Sequence, residues 1–195
     1  YKSRNFAIKK AKGKYITFCD TDDLWIKDKL KNQINLILKN KNIKIIYSNF
    51  YVLDEKKKKK YLQYKRKLPS GFITQHLLNY YCIGILTTVI DRRIFNKYLF
   101  NSTYDIIGDF DFFIKLSMRF KFYPIQKPLA IYRIHENNFS IRKSNIYISE
   151  LKKWIINTSK LLQSKNYSIK TIKNNLIKLK IKTFFKKYFL IKLGV

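Results

Sequence analysis

Acidic side chains are scarce in this sequence: 12 Asp and Glu stand against 42 Lys and Arg, a formal charge of +30. Five glycines and three prolines exclude collagen-like and linker-like chains. Two cysteines, Cys19 and Cys82, give no disulfide framework and no metal-type spacing, and read as buried thiols of a reduced compartment. No apolar run approaches the roughly 18–20 residues of a membrane-spanning helix. What is abundant is apolar: 46% hydrophobic and 16% aromatic residues over 195 positions support one domain with a real core and exclude disorder. The chain opens on Tyr1 and its single methionine is Met118, from which we expect an amino-terminal part to be missing.

The excess of positive charge points in the first instance to nucleic acid or an anionic membrane. It is carried by lysine, however, in a chain crowded with the residues of A/T-rich codons. Arginine, the better reader of phosphates and bases, is rare. No specific nucleic-acid partner is expected.

Periodicity orders the first 150 residues as alternating helices and strands. Arg4 to Lys12 reads as a short helix, Tyr15 to Cys19 as a strand, and Asp28 to Lys39 as a helix with Leu30, Ile34, Ile37 and Leu38 on its inner stripe. Ile43 to Leu53 is a strong strand, and Asp54 to Lys60 a solvated loop. Gly71 to Tyr81 is predicted helical, Gly84 to Ile90 a strand, Arg93 to Tyr98 a short helix, Asp111 to Phe120 a helix and Leu129 to Ile134 a strand. The order implies an α/β fold with parallel crossovers.

The few acids are the informative residues. Five of them form two short clusters, Asp20, Asp22 and Asp23 at the end of a strand, and Asp109 with Asp111 at the start of a helix. Three carboxylates within four residues repel unless a cation or basic partner compensates them, and the carboxyl end of a strand is where open α/β sheets bind ligands. Such oxygen-rich sites suit Mg²⁺ or Mn²⁺, which use substrate phosphates as further ligands. The competing roles are helix capping for both clusters.

The segment from Ala11 to Trp25, with Arg4 and Asn5 before it and Lys29, Leu30 and Gln33 after it, resembles the centre of a family 2 glycosyltransferase. The resemblance continues in order through Tyr47 and Ser48, Asp109 to Asp111, and Tyr132, Arg133, Ile134 and His135, then Asn138 and Ser140. It implies a Rossmann-like GT-A domain over residues 1–145, partial because the family's first strands are missing, followed by a basic helical tail over 146–195. It further implies a nucleotide-sugar donor, a glycan or lipid-linked acceptor, a metal-assisted and inverting transfer, and a cell-surface polysaccharide or lipopolysaccharide as product. Asp20 and Asp22 match the Asp-x-Asp pair that holds Mn²⁺ or Mg²⁺ against the donor diphosphate. Asp23 supports them, Arg4, Asn5, Arg133 and His135 match donor-side positions, and Asp109 matches the general base with Asp111 as the second candidate. Gly108 stands where the family has Glu.

Two other readings use the same residues. A haloacid-dehalogenase-type phosphatase also ends a strand in Asp-x-Asp, with Asp20 as nucleophile, though Leu24, Trp25, Lys29 and Gln33 have no place in its pattern. A basic non-enzymatic scaffold for RNA or membrane would leave the acids incidental. Beyond Leu151 the chain holds 12 lysines and no acid. Leu151, Trp154, Ile155, Thr158, Leu161 and Leu162 form one stripe expected to pack on the domain. Ile177, Ile181, Phe184, Tyr188 and Ile191 form a second, expected to lie on an anionic membrane surface. The resulting expectation is a cytoplasmic enzyme held peripherally at the inner face of the membrane.

Overall fold

The computed structural model describes residues 1–135 and 144–192, with side chains from 145 to 183 in the second stretch. Asn138 and Ser140 of the expected motif, and the side chains of Phe184, Tyr188 and Ile191, lie outside the described residues. The elements in chain order are α1 (Lys2–Lys10), β1 (Tyr15–Ile16), β2 (Leu24–Trp25), α2 (Lys29–Lys39), β3 (Ile45–Asp54), β4 (Lys59–Leu62), α3 (Thr74–Asn79), β5 (Val89–Asp91), α4 (Gly108–Ser117), β6 (Phe122–Ile134), α5 (Ser144–Ser164) and α6 (Lys170–Lys192). Short 3-10 turns cover Ile85–Thr87 and Arg92–Asn96.

The long β3 is the axis of the sheet. Its β-branched and aromatic residues suit a pleated surface covered on both faces, and Ile45 through Phe50 are all buried. The sheet runs β1-β5-β3-β6-β2, with β4 added to the far half of β3. Of these pairings β3–β6 is parallel and the rest are antiparallel, so the sheet is mixed.

Three elements depart from the sequence reading for local reasons. The lysine run does not stay a loop: Lys58 takes a left-handed φ of 50°, Asp54 accepts from the Lys57 backbone N–H, and β4 starts at Lys59. The segment after Gly84 begins as a 3-10 turn because Thr87 and Thr88 hydroxyls bond back to the Gly84 and Ile85 carbonyls, which competes with a ladder. The last strand starts at Phe122, earlier than expected, despite Pro124 and Pro128. Pro124 pairs in register with Tyr47, Pro128 sits where the β3–β6 register shifts, and the Gln126 side chain between them bonds the Leu68 backbone in both directions.

The main core runs from the sheet into the carboxy-terminal helices: Leu151, Trp154, Ile155 and Leu162 of α5 share it with Phe112, Phe113 and Phe122. The first apolar stripe thus packs on the domain, as expected, although Leu161 stays exposed. On α6, Ile172 and Leu176 are the buried residues among those described, while Ile177 and Ile181 are 55% and 51% exposed on the other side. Among the described residues, no helix is long and apolar enough to cross a membrane.

Candidate functional site

The acidic loop between β1 and β2 is held from behind by side chains rather than by strand pairing. This is why β1 ends at Ile16 instead of Cys19. Thr17 Oγ1 donates to the Thr88 carbonyl at 2.5 Å, and Trp25 Nε1 donates to the carbonyls of Phe18 at 3.2 Å and Leu86 at 3.1 Å. Lys29 is buried, donates to Thr17 Oγ1 at 3.0 Å and Gln33 Oε1 at 2.9 Å, and lies 4.4 Å from the Trp25 ring centroid. Gln33 in turn donates to the Thr87 carbonyl at 2.7 Å.

The inner face of α2 is therefore Lys29, Gln33 and Ile37. Leu30 and Leu38, expected inside, are exposed. Burial pushes the Lys29 ammonium down to about 8. Hydrophobic periodicity missed this network, because it weighs Lys and Gln as surface residues. The second thiol expectation also divides: Cys82 is buried and Cys19 is exposed.

In front of this network the loop carboxylates face a cleft of about 420 Å³, whose walls include Asp20, Asp22, Asp23, Arg4, Tyr81 and Asp109. Arg4 Nη2 donates to both oxygens of Asp20, at 2.7 and 2.5 Å. His135 Nε2 lies 3.0 Å from Asp22 Oδ2. Asp23 is buried and accepts from the Arg133 backbone N–H at 3.1 Å, which ties the loop to the end of β6. Burial, with Asp22 and Asp20 adding to it, pushes the Asp23 carboxyl up to about 6.

Asp109 reaches the same cleft from the first turn of α4. Its Oδ1 accepts from the Phe110 N–H at 2.8 Å and from the Tyr1 hydroxyl at 3.3 Å, and burial pushes its carboxyl up. A Cβ on Gly108 would lie 2.4 Å from the Tyr1 ring, so a glutamate there would have to displace Tyr1.

The other predicted residues are placed elsewhere. Asp111 points into the core, where its carboxylate accepts from Trp154 Nε1 at 3.0 Å and Lys115 Nζ at 2.7 Å, and it is absent from the cleft wall. The helical spacing explains this: two positions on from Asp109, a side chain points to a different face of α4. Asn5 donates to and accepts from the Phe100 backbone, fixing the loop that follows Tyr98. The Arg133 guanidinium pairs with Glu55 at 2.5 Å, and neither Asp109 nor Asp111 is its partner. Tyr47 and Ser48 are buried in β3, where the Tyr47 hydroxyl donates to the Pro69 carbonyl.

Sequence reasoning also missed Glu150. From α5 its carboxylate accepts three consecutive backbone N–H groups, Asp105 at 2.6 Å, Ile106 at 3.0 Å and Ile107 at 3.1 Å, just ahead of the helix that carries Asp109. The available signal was its rarity: it is the last acid in the chain, standing at the head of an otherwise acid-free stretch.

Escherichia coli WfgD, a UDP-Glc:alpha-D-GlcNAc-diphosphoundecaprenol beta-1,3-glucosyltransferase, is 38% identical over 98 residues, covering 50% of this chain and 37% of the relative. The amylovoran biosynthesis glycosyltransferase AmsB of Erwinia amylovora is 32% identical over 140 residues, 68% of this chain and 46% of AmsB. The chain thus spans between a third and a half of the length of these two relatives. Staphylococcus aureus TarS shares the fold with a TM-score of 0.51 at 16% identity, over 77% of this chain and 27% of the TarS chain. The phosphatase and scaffold readings rested on single features and give way to a match that runs nearly end to end. The sequence model of the family described as glycosyltransferase like family 2 matches residues 1–190, and the chain belongs to that family.

Proposed function

We propose that this chain forms the catalytic part of a glycosyltransferase that moves a sugar from a nucleotide-sugar donor to a glycan or lipid-linked acceptor, by a metal-assisted, inverting displacement. The observation that carries this reading is the meeting of two distant acidic clusters in one cleft: Asp20, Asp22 and Asp23 on one wall and Asp109 on another.

The loop carboxylates fit a divalent cation of the Mg²⁺ or Mn²⁺ class. Asp20 and Asp22 keep 44% and 37% of their side-chain surface exposed, so their oxygens are accessible. Among the described residues no group of three His, Cys, Asp or Glu forms a protein cage. Sites for these ions characteristically use one or two carboxylates and leave the remaining positions to water and substrate phosphates. A cation held there supplies Lewis-acid stabilisation of the departing nucleoside diphosphate.

The chain's own residues do the rest. Arg4 orients Asp20, and His135 and the Arg133 backbone fix Asp22 and Asp23. These contacts support donor-side roles for Arg4 and His135, and positioning roles for Asn5, Asp23 and Arg133. Asp109 takes the proton of the attacking hydroxyl, and its burial favours this because a raised carboxyl pKa makes a stronger base. One base and no second nucleophile is the requirement of a single displacement, which inverts the anomeric centre. Asp111, held by Trp154 and Lys115, anchors the helix that carries the base.

The product class follows the relatives. WfgD acts on a diphosphoundecaprenol-linked sugar and AmsB serves amylovoran biosynthesis, so a polysaccharide built on a lipid carrier is the assignment here. The exposed Ile177 and Ile181 beside the lysines of α6 support a peripheral position on an anionic membrane face, and thereby a cytoplasmic location. The test is nucleotide binding by calorimetry on the full-length protein. Wild type should bind UDP more tightly with Mn²⁺ than with EDTA, and Asp22→Asn should erase that difference. Equal affinity in all four titrations refutes the metal-assisted donor site.

A further inference from the structure

We propose that a second cavity, opening off the donor cleft beside Asp109, receives the acetamido group of a 2-acetamido acceptor sugar, and that the Tyr81 hydroxyl is the hydrogen-bond donor to its carbonyl oxygen. This rests on the glycosyltransferase reading above and extends it to the acceptor.

The second cavity has a volume of about 190 Å³ and lies where α3, α4, α5 and α6 meet. Leu78, Ile107, Leu151 and Ile172 supply its apolar wall. Three residues, Tyr81, Ile106 and Asp109, line this cavity and the donor cleft alike, so the two spaces adjoin at the base itself.

Tyr81 lines both spaces, and its hydroxyl is buried and, among the described residues, has no hydrogen-bond partner. Native proteins rarely leave a buried hydroxyl unsatisfied, and such a group calls for an explanation by function. The ring is held in place: its backbone carbonyl accepts from the Tyr64 hydroxyl at 3.1 Å, and Phe110 meets it edge-on with 5.2 Å between centroids. The hydroxyl is thus a positioned donor without a recipient among the described residues.

The ligand that satisfies these features needs a hydroxyl for Asp109, a carbonyl oxygen for Tyr81 and a small apolar end for the cavity. An acetamido group on the ring carbon next to the attacking hydroxyl offers all three at once. Its size also fits, since the cavity amounts to several times the roughly 30 Å³ share of one water. A bare hydroxyl at the same carbon would meet an apolar wall and gain no carbonyl contact with Tyr81. The isoprenoid part of a lipid carrier is the less suitable occupant. Its diphosphate would have to pass the Asp109 carboxylate, and like charges there repel.

The experiment uses the full-length protein and two monosaccharide probes, the methyl glycosides of 2-acetamido-2-deoxyglucose and of glucose, followed by saturation-transfer NMR. Wild type should bind the acetamido glycoside about tenfold more tightly than the glucoside, with the acetamido methyl protons receiving the strongest saturation. Tyr81→Phe should lose most of that preference while melting no lower than wild type, because its hydroxyl bonds no other group among the described residues. Ile172→Trp, which fills the cavity, should remove the methyl signal. Equal affinity for the two glycosides, or an unchanged preference in both variants, overturns the proposal. A parallel Mn²⁺-dependent UDP titration separates this from the underlying reading. If wild type binds UDP with the metal but shows no acetamido preference, the cavity assignment alone fails. If the acetamido preference is present and UDP binding is absent, the donor site fails.

Discussion

Removing the Glu150 carboxylate should destabilise the site from outside it. Its two oxygens accept three backbone N–H groups at 2.6 to 3.1 Å, and the residue is 9% exposed. Hydrogen bonds to a charged acceptor contribute about 1.5–3 kcal/mol each, but they share one carboxylate, and water can reach part of the space left behind. We therefore expect Glu150→Ala to cost about 3 kcal/mol, near the lower bound for breaking a buried charged contact. For a chain of this size that corresponds to a fall of roughly 6–12 °C in Tm. Glu150→Gln keeps one good acceptor and should lose about half as much. Urea unfolding of both variants measures this, and single-turnover transfer reads the consequence for Asp109, which follows the anchored loop directly. Turnover should drop in both variants while UDP affinity at the Asp20–Asp22 loop is kept. An alanine variant within about 0.5 kcal/mol of wild type refutes the reasoning, since surface substitutions produce changes of that size.

Three further outcomes are expected. Asp109→Asn should abolish turnover with donor binding intact, whereas Asp111→Asn should retain measurable turnover and cost about 1–2 kcal/mol in urea unfolding, since it loses the charge partner of Lys115; the reverse ranking would move the base to Asp111. Asp23, pushed up to about 6 from its ordinary 3.8, binds its proton more tightly in the folded chain than in the unfolded one, so without metal stability should fall as pH rises from about 4 to 6 and then level off; Asp23→Asn should flatten that slope, as seen by unfolding in EDTA. On α6, replacing the exposed Ile177 and Ile181 with Asp should release the protein from anionic vesicles in co-sedimentation at low salt without lowering Tm, and unchanged pelleting would dismiss this face as the anchor.

The parts of the site legible in the sequence were those carried by local pattern. The strand-former run of β3, the acids clustered after Tyr15 to Cys19, and the pair at the start of α4 are each visible within a dozen residues. Asp109 and Asp111 are where local pattern ran out, because two carboxylates two residues apart look alike in sequence and face different directions on a helix. One borders the cleft and the other bonds Trp154 from a helix forty residues on. Glu150 and Tyr81 were illegible, and Lys29 and Gln33 were flagged by the family pattern without their role, for a related reason: their meaning lies in partners from distant segments. A buried lysine counts as surface in any hydropathy pattern, and an orphaned hydroxyl cannot be read from a sequence at all.

The distribution of acids also bears on why the cleft is a site and not merely a packing defect. Outside it, carboxylates are placed to stabilise: Asp91 pairs with Arg93, Asp54 with Lys57, Asp111 with Lys115, Glu55 with Arg133, and Glu150 with three N–H groups. Asp54 and Asp91 are accordingly held below the usual carboxylate range, by the Lys57 backbone N–H and the Arg93 side chain respectively. In the cleft the direction reverses, and burial raises Asp23 and Asp109. A chain with 42 cations had ample means to neutralise these two directly, yet the side chains bonded in the loop, Arg4 on Asp20 and His135 on Asp22, go to their neighbours. Carboxylates left raised in a cleft cost folding free energy, and that cost is the usual mark of groups arranged for a ligand and a proton transfer.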